Sequence, residues 1–268
     1  MSEREAIDRV SEPITVSSLA TDFRDIGIDA GDRLLVHSSL SAIGWIAGGA
    51  QAVVEALQQV VTPRGTIMMP THSAQYTDPA DWQHPPVPAD WPPIIRQSIP
   101  AFRPDVTPSR GMGAIPECFR TFPTVHRSGH PIVSFAACGP SSQDIADSHS
   151  LDFGLGEESP LAWLYDAAGK VILLGVSHAS NTSLHLAEYR TKRQPARVRH
   201  QAPVMRNGRH AVVEFEDIDL VSNDFADLGR AYERDVGMTT GSVGVANAKV
   251  MDQRQLVDYA VDWIDANR

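Results

Sequence analysis

An α/β fold with a mixed central sheet is predicted by the order of apolar runs and amphipathic segments along the chain. Residues 33–39 and 66–71 are short apolar runs, and the segment 48–61 between them has apolar residues at helical spacing. This strand–helix–strand order with short links predicts a right-handed crossover and a parallel pair of strands. Residues 170–176 are nearly all apolar, which is typical of a strand buried on both faces. The dipeptide Asn207-Gly208 lies between two strand-like segments and predicts an antiparallel hairpin.

Helix signals and breaker residues complete the predicted order of elements. The segment 159–169 has Ser159 as a possible cap, Pro160 in the first turn and Gly169 as its stop. The helix that begins near 181 has Asn181 or Thr182 as its cap. Residues 125–139 predict a strand interrupted by a turn. The full set of predicted helices is 15–27, 48–61, 113–122, 159–169, 181–192, 222–235 and 253–266.

Residues 74–93 differ in composition from the rest of the chain. They contain six prolines and two tryptophans in twenty residues. Such a segment predicts a long loop rather than a helix or a strand, and long loops are often lids or walls of binding sites.

Composition excludes several classes of protein. The 268 residues, of which 42% are hydrophobic, are enough for one large domain or two closely packed ones. The formal net charge is −10, from 23 basic and 33 acidic residues without a block of like charge, so nucleic-acid binding is not expected. An acidic surface can attract a cationic substrate, although many cytosolic proteins are acidic for solubility alone.

Cysteine usage and the N-terminus indicate a soluble, cytoplasmic protein. Cys118 and Cys138 have neither CxxC nor metal-ligand spacing, so we expect two buried apolar fillers and no disulfide. Residues 1–10 are charged and lack the apolar core of a signal peptide. No apolar run approaches the ~20 residues that a membrane helix needs, so no membrane partner is expected.

His185 and Glu188 are the strongest candidates for chemistry. They follow the apolar strand at 170–176 and lie three apart, on one face of the predicted helix. A carboxylate beside an imidazole orients the ring and favours its protonated form, which suits a general base. The same HxxE spacing also fits a structural histidine beside a solvated glutamate.

Metal and serine-hydrolase chemistry have little support. HExxH is absent, and His178 and His185 are seven apart. His126 and His130 are four apart, but Ser128-Gly129 between them argues against an aligning helix. We therefore expect no metal. No GxSxG elbow occurs either.

Five segments, in order, resemble the aminoglycoside 3-N-acetyltransferase family. They are "LLVHSSLSAIGWIAGG", "GAIPECFR", "RSGHPIVSFAACG", "GEESPLAWLYDAAGKVILLGV" and "NTSLHLAE". The closing segment "TTGSVGVANAKVMDQRQLVDYAVDWI" is also similar, so the resemblance covers roughly residues 16–266. It implies a single antibiotic N-acetyltransferase-like domain over 1–268, with the proline- and tryptophan-rich loop near the active site. Residues 81–93 of that loop depart most from the family pattern.

The resemblance implies an enzyme that transfers acetyl from acetyl-CoA to the 3-amino group of the 2-deoxystreptamine ring of aminoglycoside antibiotics, conferring resistance. His185 would be the general base and Glu188 its partner. Coenzyme A would lie along 37–49, where backbone N–H groups and the helix N-terminus after Gly48-Gly49 can bind phosphate. The implied cofactor-binding residues are His37, Ser38, Ser39, Leu40, Ser41, Gly44, Gly49, Ser109, Arg110, Met112, Gly113 and Ser134.

An aminoglycoside is a polycation, so its pocket is expected to hold carboxylates and aromatic surface. The candidates are Tyr76, Asp78, Asp152, Glu157, Glu158 and Asp224. The donor for the tetrahedral oxyanion is left open between backbone N–H groups and Thr71.

Two alternatives remain at this point. The enzyme could be an acetyl-CoA-dependent N-acetyltransferase that acts on a different, biosynthetic or metabolite, amine, which the unusual loop would favour. A non-catalytic acyl-CoA-binding protein is the other, and the presence of both His185 and Glu188 argues against it. The sequence leaves open whether the protein is a monomer or a homodimer.

Overall fold

A computed structural model provides the structure of the protein and describes residues 2–83, 85–193 and 195–268. The strands are β1 (Arg33–Ser38), β2 (Thr66–Pro70), β3 (Val125–Arg127), β4 (Phe135–Cys138), β5 (Lys170–Leu174), β6 (Arg197–Arg206), β7 (Arg209–Ile218), β8 (Thr239–Val243) and β9 (Ala246–Asp252). The α-helices are α1 (Glu3–Asp8), α2 (Val16–Asp25), α3 (Leu40–Ile43), α4 (Gly49–Val61), α5 (Pro92–Ser98), α6 (Ala114–Phe119), α7 (Ser142–Asp147), α8 (Pro160–Asp166), α9 (Leu184–Arg190), α10 (Phe225–Asp235) and α11 (Gln253–Asn267).

A seven-stranded mixed sheet forms the centre of the fold, in the order β3-β4-β2-β1-β5-β9-β8. β1 is parallel to β2 and to β5, whereas the remaining neighbours are antiparallel. The predicted parallel crossover through α4 is confirmed, and so is the mixed α/β class. Because β1, β2 and β5 run in the same direction, their carboxyl ends meet at one edge of the sheet.

Two hydrophobic cores lie on opposite faces of this sheet. Along β5, Ile172 and Leu174 pack into the core beneath α2, α4 and α6, whereas Val171 and Leu173 pack into the core beneath α8, α9, α10 and α11. All four side chains are fully buried, as the continuous apolar run predicted. Burying one such side chain contributes about 1.5–3 kcal/mol, so β5 fixes the centre of the sheet.

The predicted boundary of α8 is only partly correct. Ser159 accepts hydrogen bonds from the N–H groups of Leu161 and Ala162, which confirms the cap. The helix ends at Asp166, however, and the left-handed residue after it is Ala168 rather than Gly169. Gly169 is required for a different reason, because a Cβ there would lie 2.1 Å from Cδ1 of Leu164.

The start of α9 also differs from the prediction. The helix begins at Leu184, and Ser183 is its N-cap without a side-chain cap bond. Asn181 instead accepts a hydrogen bond at Oδ1 from Ser183 N–H, in the turn that precedes the helix. The assignment of Asn181 or Thr182 as the cap was therefore wrong, because these residues form the turn that leads into α9, with their carbonyls accepting from the N–H groups of Leu184 and His185.

The ribbon β6–β7 confirms the predicted hairpin. Asn207 and Gly208 have φ angles of 52° and 74°, and a two-residue type I′ hairpin turn requires positive φ at both residues. The ribbon is a sheet of its own and touches the preceding chain through a parallel bridge between Phe102 and Val204. The second hairpin, β8–β9, was not predicted.

The segment 74–93 contains two 3-10 turns, Ala74–Tyr76 and Pro79–Asp81, and the first residues of α5. Trp82 Nε1 donates to Thr77 Oγ1 at 3.0 Å within this segment. His84 belongs to the predicted loop but lies outside the described residues, so the role of the whole segment stays a prediction.

Membrane and cysteine predictions can be compared with the same structure. None of the described helices combines the length and apolar composition needed to cross a lipid bilayer. Both cysteines are free thiols; Cys138 is buried as predicted, whereas Cys118 is only half-buried.

Candidate active site

A cavity of about 930 Å³ lies at the edge of the sheet where β1, β2 and β5 end. Its walls come from the loops after these strands, from the N-terminus of α4, from α9 and from the start of α10. Loops diverge at the carboxyl ends of parallel strands and leave a crevice there for ligands. The predicted cofactor-binding residues that line this cavity are His37, Ser38, Ser39, Leu40, Ser41, Gly44, Gly49, Met112 and Gly113.

The end of β1 contributes polar atoms that lack partners. Ser39 N–H donates to the carbonyl of Leu174 at 2.9 Å, which fixes the loop to β5. His37 Nε2 and Ser38 Oγ are buried, and neither has a hydrogen-bond partner among the residues that the structure describes. Leaving a buried polar atom unpaired costs about 1–3 kcal/mol, so these atoms mark a surface that polar ligand atoms can satisfy.

His37 is held in its neutral form. The pKa of its imidazole is lowered to about 3, mainly by burial and to a smaller extent by the nearby His178. At neutral pH the ring is therefore a hydrogen-bonding group without charge.

The N-terminus of α4 also lines the cavity. Its first residue, Gly49, has a φ of 57°, and the helix has no side-chain cap. The first N–H groups of a helix have no partner within the helix and carry partial positive charge, which suits an anion. A Cβ at Gly49 would meet nothing within 4 Å, so the cavity is open in front of it.

His185 and Glu188 form the pair that their spacing predicted. His185 Nδ1 lies 2.6 Å from Glu188 Oε2, one turn further along α9. Glu188 is fully buried, so the reading of a solvated surface glutamate is wrong. His185 lines the cavity and packs against the ring of Phe225 at a centroid distance of 4.7 Å. Because Nδ1 is engaged, Nε2 is the ring nitrogen left for a ligand.

The second oxygen of Glu188 has partners of its own. Oε1 accepts from Val221 N–H at 2.9 Å and from the guanidinium of Arg268. Arg268 also donates to Asp224, with Nε 2.8 Å from Oδ2. No sequence motif pointed to Arg268, which follows α11 and lies 80 residues from Glu188.

His72 is a second cavity residue without an assigned role. It follows β2, and its Nε2 is buried without a partner in the described part of the chain. The pKa of His72 is lowered to about 3, mainly by burial and to a smaller extent by the nearby His185 and His37. A neutral imidazole therefore lies close to the His185–Glu188 pair.

Three predicted cofactor residues do not line the cavity formed by the described residues. Ser109 donates from its N–H and its hydroxyl to Glu117 Oε2, at 2.9 and 2.6 Å. The guanidinium of Arg110 lies 5.8 Å from the ring centroid of Trp82. Ser134 is fully buried and donates to the carbonyl of Thr71 at 2.9 Å. Their contacts with coenzyme A remain predictions.

Thr71 is already engaged as well. Its hydroxyl donates to the carbonyl of Ser134 at 3.1 Å and accepts from Arg127 Nε at 3.1 Å. Burial lowers the pKa of Arg127 to about 10, and its guanidinium donates to oxygens of Thr71, Ser73 and Thr107. This cluster stabilises the wall behind β2 and leaves Thr71 poorly placed as an oxyanion donor.

The predicted substrate residues are also absent from the lining of this cavity in the described ranges 2–83, 85–193 and 195–268. Tyr76 is buried against Phe102, with ring centroids 5.7 Å apart. Asp78 pairs with Arg96 at 2.6 Å, in a cluster with the 74–93 segment.

The other acidic candidates have neighbours elsewhere. Asp152 accepts at Oδ1 from Glu216 N–H at 2.7 Å, and Glu157 pairs with Arg190 at 2.7 Å. Glu158 is exposed, and Asp224 pairs with Arg268 behind the His185 pair.

Among the described residues that line the cavity, the carboxylate is that of Glu3 on α1. Its Oε1 accepts from Trp45 Nε1 at 3.1 Å, so α1 covers the loop that follows β1. No sequence motif pointed to Glu3.

The remaining buried histidines are held by the protein itself. His130 Nδ1 accepts from the N–H groups of Ile132 and Val133, and its ring stacks on His149 at 5.0 Å. His178 Nδ1 lies 3.3 Å from Asn181 Nδ2, and its Nε2 is at ion-pair distance, 3.1 Å, from Glu233 Oε1 without hydrogen-bond geometry. Within the described residues, no group of three or more His, Cys, Asp or Glu side chains is arranged to hold a metal ion.

Comparisons with known proteins agree on one family. The family model described as aminoglycoside 3-N-acetyltransferase matches residues 35–265. The SPbeta prophage-derived aminoglycoside N(3')-acetyltransferase-like protein YokD of Bacillus subtilis (strain 168) is 42% identical, over 98% of this chain and 97% of its own length. Aminoglycoside N(3)-acetyltransferase IX of Micromonospora chalcea is 34% identical over 99% of both chains.

Solved structures are similar over the same extent. The crystal structure of YokD superimposes with a TM-score of 0.95 over 98% of each chain, at 42% identity. A binary complex of AAC-IIIb with CoASH superimposes with a TM-score of 0.86, at 29% identity, over 95% of this chain and 97% of the other.

Proposed function

The chain belongs to the aminoglycoside 3-N-acetyltransferase family, and we propose that it transfers acetyl from acetyl-CoA to the 3-amino group of the 2-deoxystreptamine ring of aminoglycosides, conferring resistance. One observation carries the proposal: the His185–Glu188 pair, with Nδ1 and Oε2 2.6 Å apart, opens into a cavity that is also lined by buried polar atoms without partners among the described residues.

The wall from β1 to α4 fits a coenzyme A molecule. Buried atoms without partners, His37 Nε2 and Ser38 Oγ, offer hydrogen bonds that no described residue takes. The uncapped first turn of α4 at Gly49 favours a phosphate group. Acetyl-CoA supplies an activated acyl group as a thioester. A relative of the same family, AAC-IIIb, has been solved with CoASH, which supports this assignment.

His185 is proposed as the general base. An ammonium group cannot attack a thioester, so its proton must first be removed. His185 takes this proton at Nε2, because Nδ1 is hydrogen-bonded to Glu188. The freed amine then forms the C–N bond at the thioester carbonyl. Attack leaves the new C–N nitrogen with a second proton, which passes to the departing sulfur as the C–S bond breaks, giving the amide and the free thiol. His185 releases the first proton to solvent, so the base is regenerated.

Glu188 is proposed to keep the imidazole in one tautomer. Its Oε2 accepts from Nδ1–H, and the negative charge stabilises the imidazolium that forms during transfer. A fully buried carboxylate is not screened by water, so its effect on the ring is stronger than at the surface.

A different amine as the acceptor is favoured by one observation. The predicted carboxylates Asp78, Glu157 and Asp224 pair with arginines instead of lining the described cavity. A polycation would have to bury several ammonium groups in this cavity without these carboxylates as partners. An acceptor with a single amine would bury only one.

The acceptor is decided by measuring thiol release from acetyl-CoA with a panel of amines. The panel contains aminoglycosides with a 2-deoxystreptamine ring and simple mono- and diamines. The proposal expects turnover with the aminoglycosides and none above the background hydrolysis with the simple amines. The reverse result would replace the aminoglycoside by the alternative amine while leaving acetyl transfer intact.

A further inference from the structure

Glu188 is a buried carboxylate whose two oxygens are used by different partners. Oε2 is bonded to His185, and Oε1 accepts from Val221 N–H and from the Arg268 guanidinium. The side chain of Glu188 has no exposed surface. An isolated charge in such a place would carry a large desolvation penalty, which these partners offset.

Arg268 is itself held in one geometry. Nε and one terminal nitrogen donate to the two oxygens of Asp224, and the second terminal nitrogen donates to Glu188. The carbonyl of Val221 accepts a further bond at 2.7 Å. The guanidinium also lies 5.9 Å from the ring centroid of Phe225, which packs against His185. The forked guanidinium of Arg268 therefore joins α9, the segment before α10 and the end of α11.

We propose that Arg268 is a positioning residue for the general base, acting through Glu188 rather than on the substrates. Arg268 is not among the described residues that line the cavity. The inference rests on the proposed function, because it assigns Arg268 a role in keeping His185 ready to accept a proton.

The physical reason is the distribution of charge around one carboxylate. With Arg268 present, Oε1 is fixed and Oε2 stays directed at His185 Nδ1. Without the guanidinium, Glu188 can rotate away from the ring or take up a proton and become a donor. Either change removes the acceptor that selects the Nδ1–H tautomer of His185.

Charged and titratable groups approach this pair from several elements. Arg268 and Asp224 lie behind Glu188, and His72 faces His185 from the end of β2. Tyr189, the next residue on α9, donates its hydroxyl to Asp217. Of these groups, Arg268 is the cation in contact with Glu188, so its removal changes the charge balance of the pair most directly.

The test compares Arg268→Met, which keeps the aliphatic stem, with Arg268→Lys, which keeps the charge but loses the fork. Arg268→Met should lower kcat about 10- to 100-fold, the usual range for loss of a residue that orients a catalytic group. The KM for acetyl-CoA should stay within a few-fold. Arg268→Lys should recover part of the loss. Arg230→Met is the matched control, because Arg230 is exposed and pairs only locally with Asp227 on α10.

The pH profile separates positioning from a merely structural role. If Glu188 no longer accepts from Nδ1–H in Arg268→Met, the imidazolium loses the carboxylate that stabilises it. The acid limb of kcat, measured with one acceptor, should then move to lower pH, whereas Arg268→Lys should leave it in place. A lower kcat with an unmoved limb would contradict the proposal.

A double-mutant cycle with Glu188→Gln gives the second readout. If Arg268 acts through Glu188, Arg268→Met should cost little further activity once Glu188 is replaced. Equal losses in both backgrounds would overturn the inference, even if Arg268→Met is less stable. The proposed function fails separately: it is wrong if His185→Gln keeps its turnover, whereas Arg268 is the wrong assignment if His185→Gln is inactive and Arg268→Met is unaffected.

Discussion

The His185–Glu188 pair on α9 and the end of β1 differ in how completely their polar groups are satisfied. On α9, Glu188 has a partner on each oxygen, and His185 is fixed at Nδ1. At the end of β1, His37 Nε2 and Ser38 Oγ are buried without partners among the described residues. Under the proposed function, the α9 pair is preorganised for proton transfer, whereas the end of β1 would gain its hydrogen bonds when a ligand binds. Catalysis and cofactor binding would then depend on separate groups, which can be changed one at a time.

The largest effect is expected from His185→Ala. Loss of a general base should lower kcat by roughly 10²–10⁴, because the ammonium then loses its proton only to water. The affinity for coenzyme A should stay within a few-fold, since its proposed contacts are with the loop after β1 and the start of α4. Steady-state kinetics and calorimetry measure the two quantities.

His126→Ala is the matched control for this variant, because His126 is exposed on β3 and does not line the described cavity. If His185→Ala loses cofactor affinity as strongly as kcat, the assignment of catalysis and cofactor binding to separate groups is wrong.

Acid should destabilise the fold through its buried histidines. Burial lowers the pKa of His37 and His72 to about 3 and that of His149 to about 4, and it lowers the pKa of His130 well below the usual value. In the unfolded chain these groups titrate near a pKa of about 6.5, so below that pH the unfolded state binds more protons. Their neutral forms therefore contribute stability that is complete above pH ~6.5 and is lost as the pH falls towards these lower values.

The slope is about 1.4 kcal/mol per pH unit for each histidine that stays neutral in the folded protein. Urea unfolding at pH 7.5 and at pH 5.5 measures it. The free energy of unfolding should be clearly lower at pH 5.5, and less so in His149→Gln. Equal values at both pH values would show that these rings are not held neutral.

A smaller effect, on coenzyme A affinity, is expected from Gly49→Leu at the start of α4. The leucine side chain would project into the open cavity before α4 and should weaken coenzyme A binding by about tenfold, or about 1.4 kcal/mol. Turnover at saturating acetyl-CoA should change less. Isothermal titration calorimetry gives the affinity.

Gly31→Leu controls for backbone strain in this experiment. Gly31 also has a positive φ, of 94°, and a Cβ there would meet nothing within 4 Å, but it does not line the described cavity. Similar affinities for the two leucine variants would remove the α4 N-terminus from the cofactor site.

Local patterns allowed part of the site to be predicted from sequence. His185 and Glu188 are one turn apart, so their contact follows from the geometry of a helix. The loop after β1 was predicted because strand, polar loop, glycine and helix follow one another without a gap. Long-range contacts such as Arg268 with Glu188, 80 residues apart, have no such local signal.

The acidic candidates were wrongly expected to line the cavity because their long-range partners have no local signal in the sequence either. Asp78 and Glu157 were reasonable choices for a cationic substrate, but their arginine partners lie 18 and 33 residues further along the chain. Only the folded chain shows that these charges are already paired. The strands β8 and β9 were missed for a compositional reason, since Gly241, Gly244 and Ala246–Ala248 weaken the strand pattern.

The position of the transferred acetyl group tests the central claim most directly. Wild-type enzyme is incubated with acetyl-CoA and an aminoglycoside, and the product is analysed by NMR and mass spectrometry. The account predicts a single acetyl group on the 3-amino nitrogen of the 2-deoxystreptamine ring, formed by wild type and by His126→Ala but not by His185→Ala. An acetyl group on another nitrogen, or an unmodified aminoglycoside beside an acetylated simple amine, would contradict it.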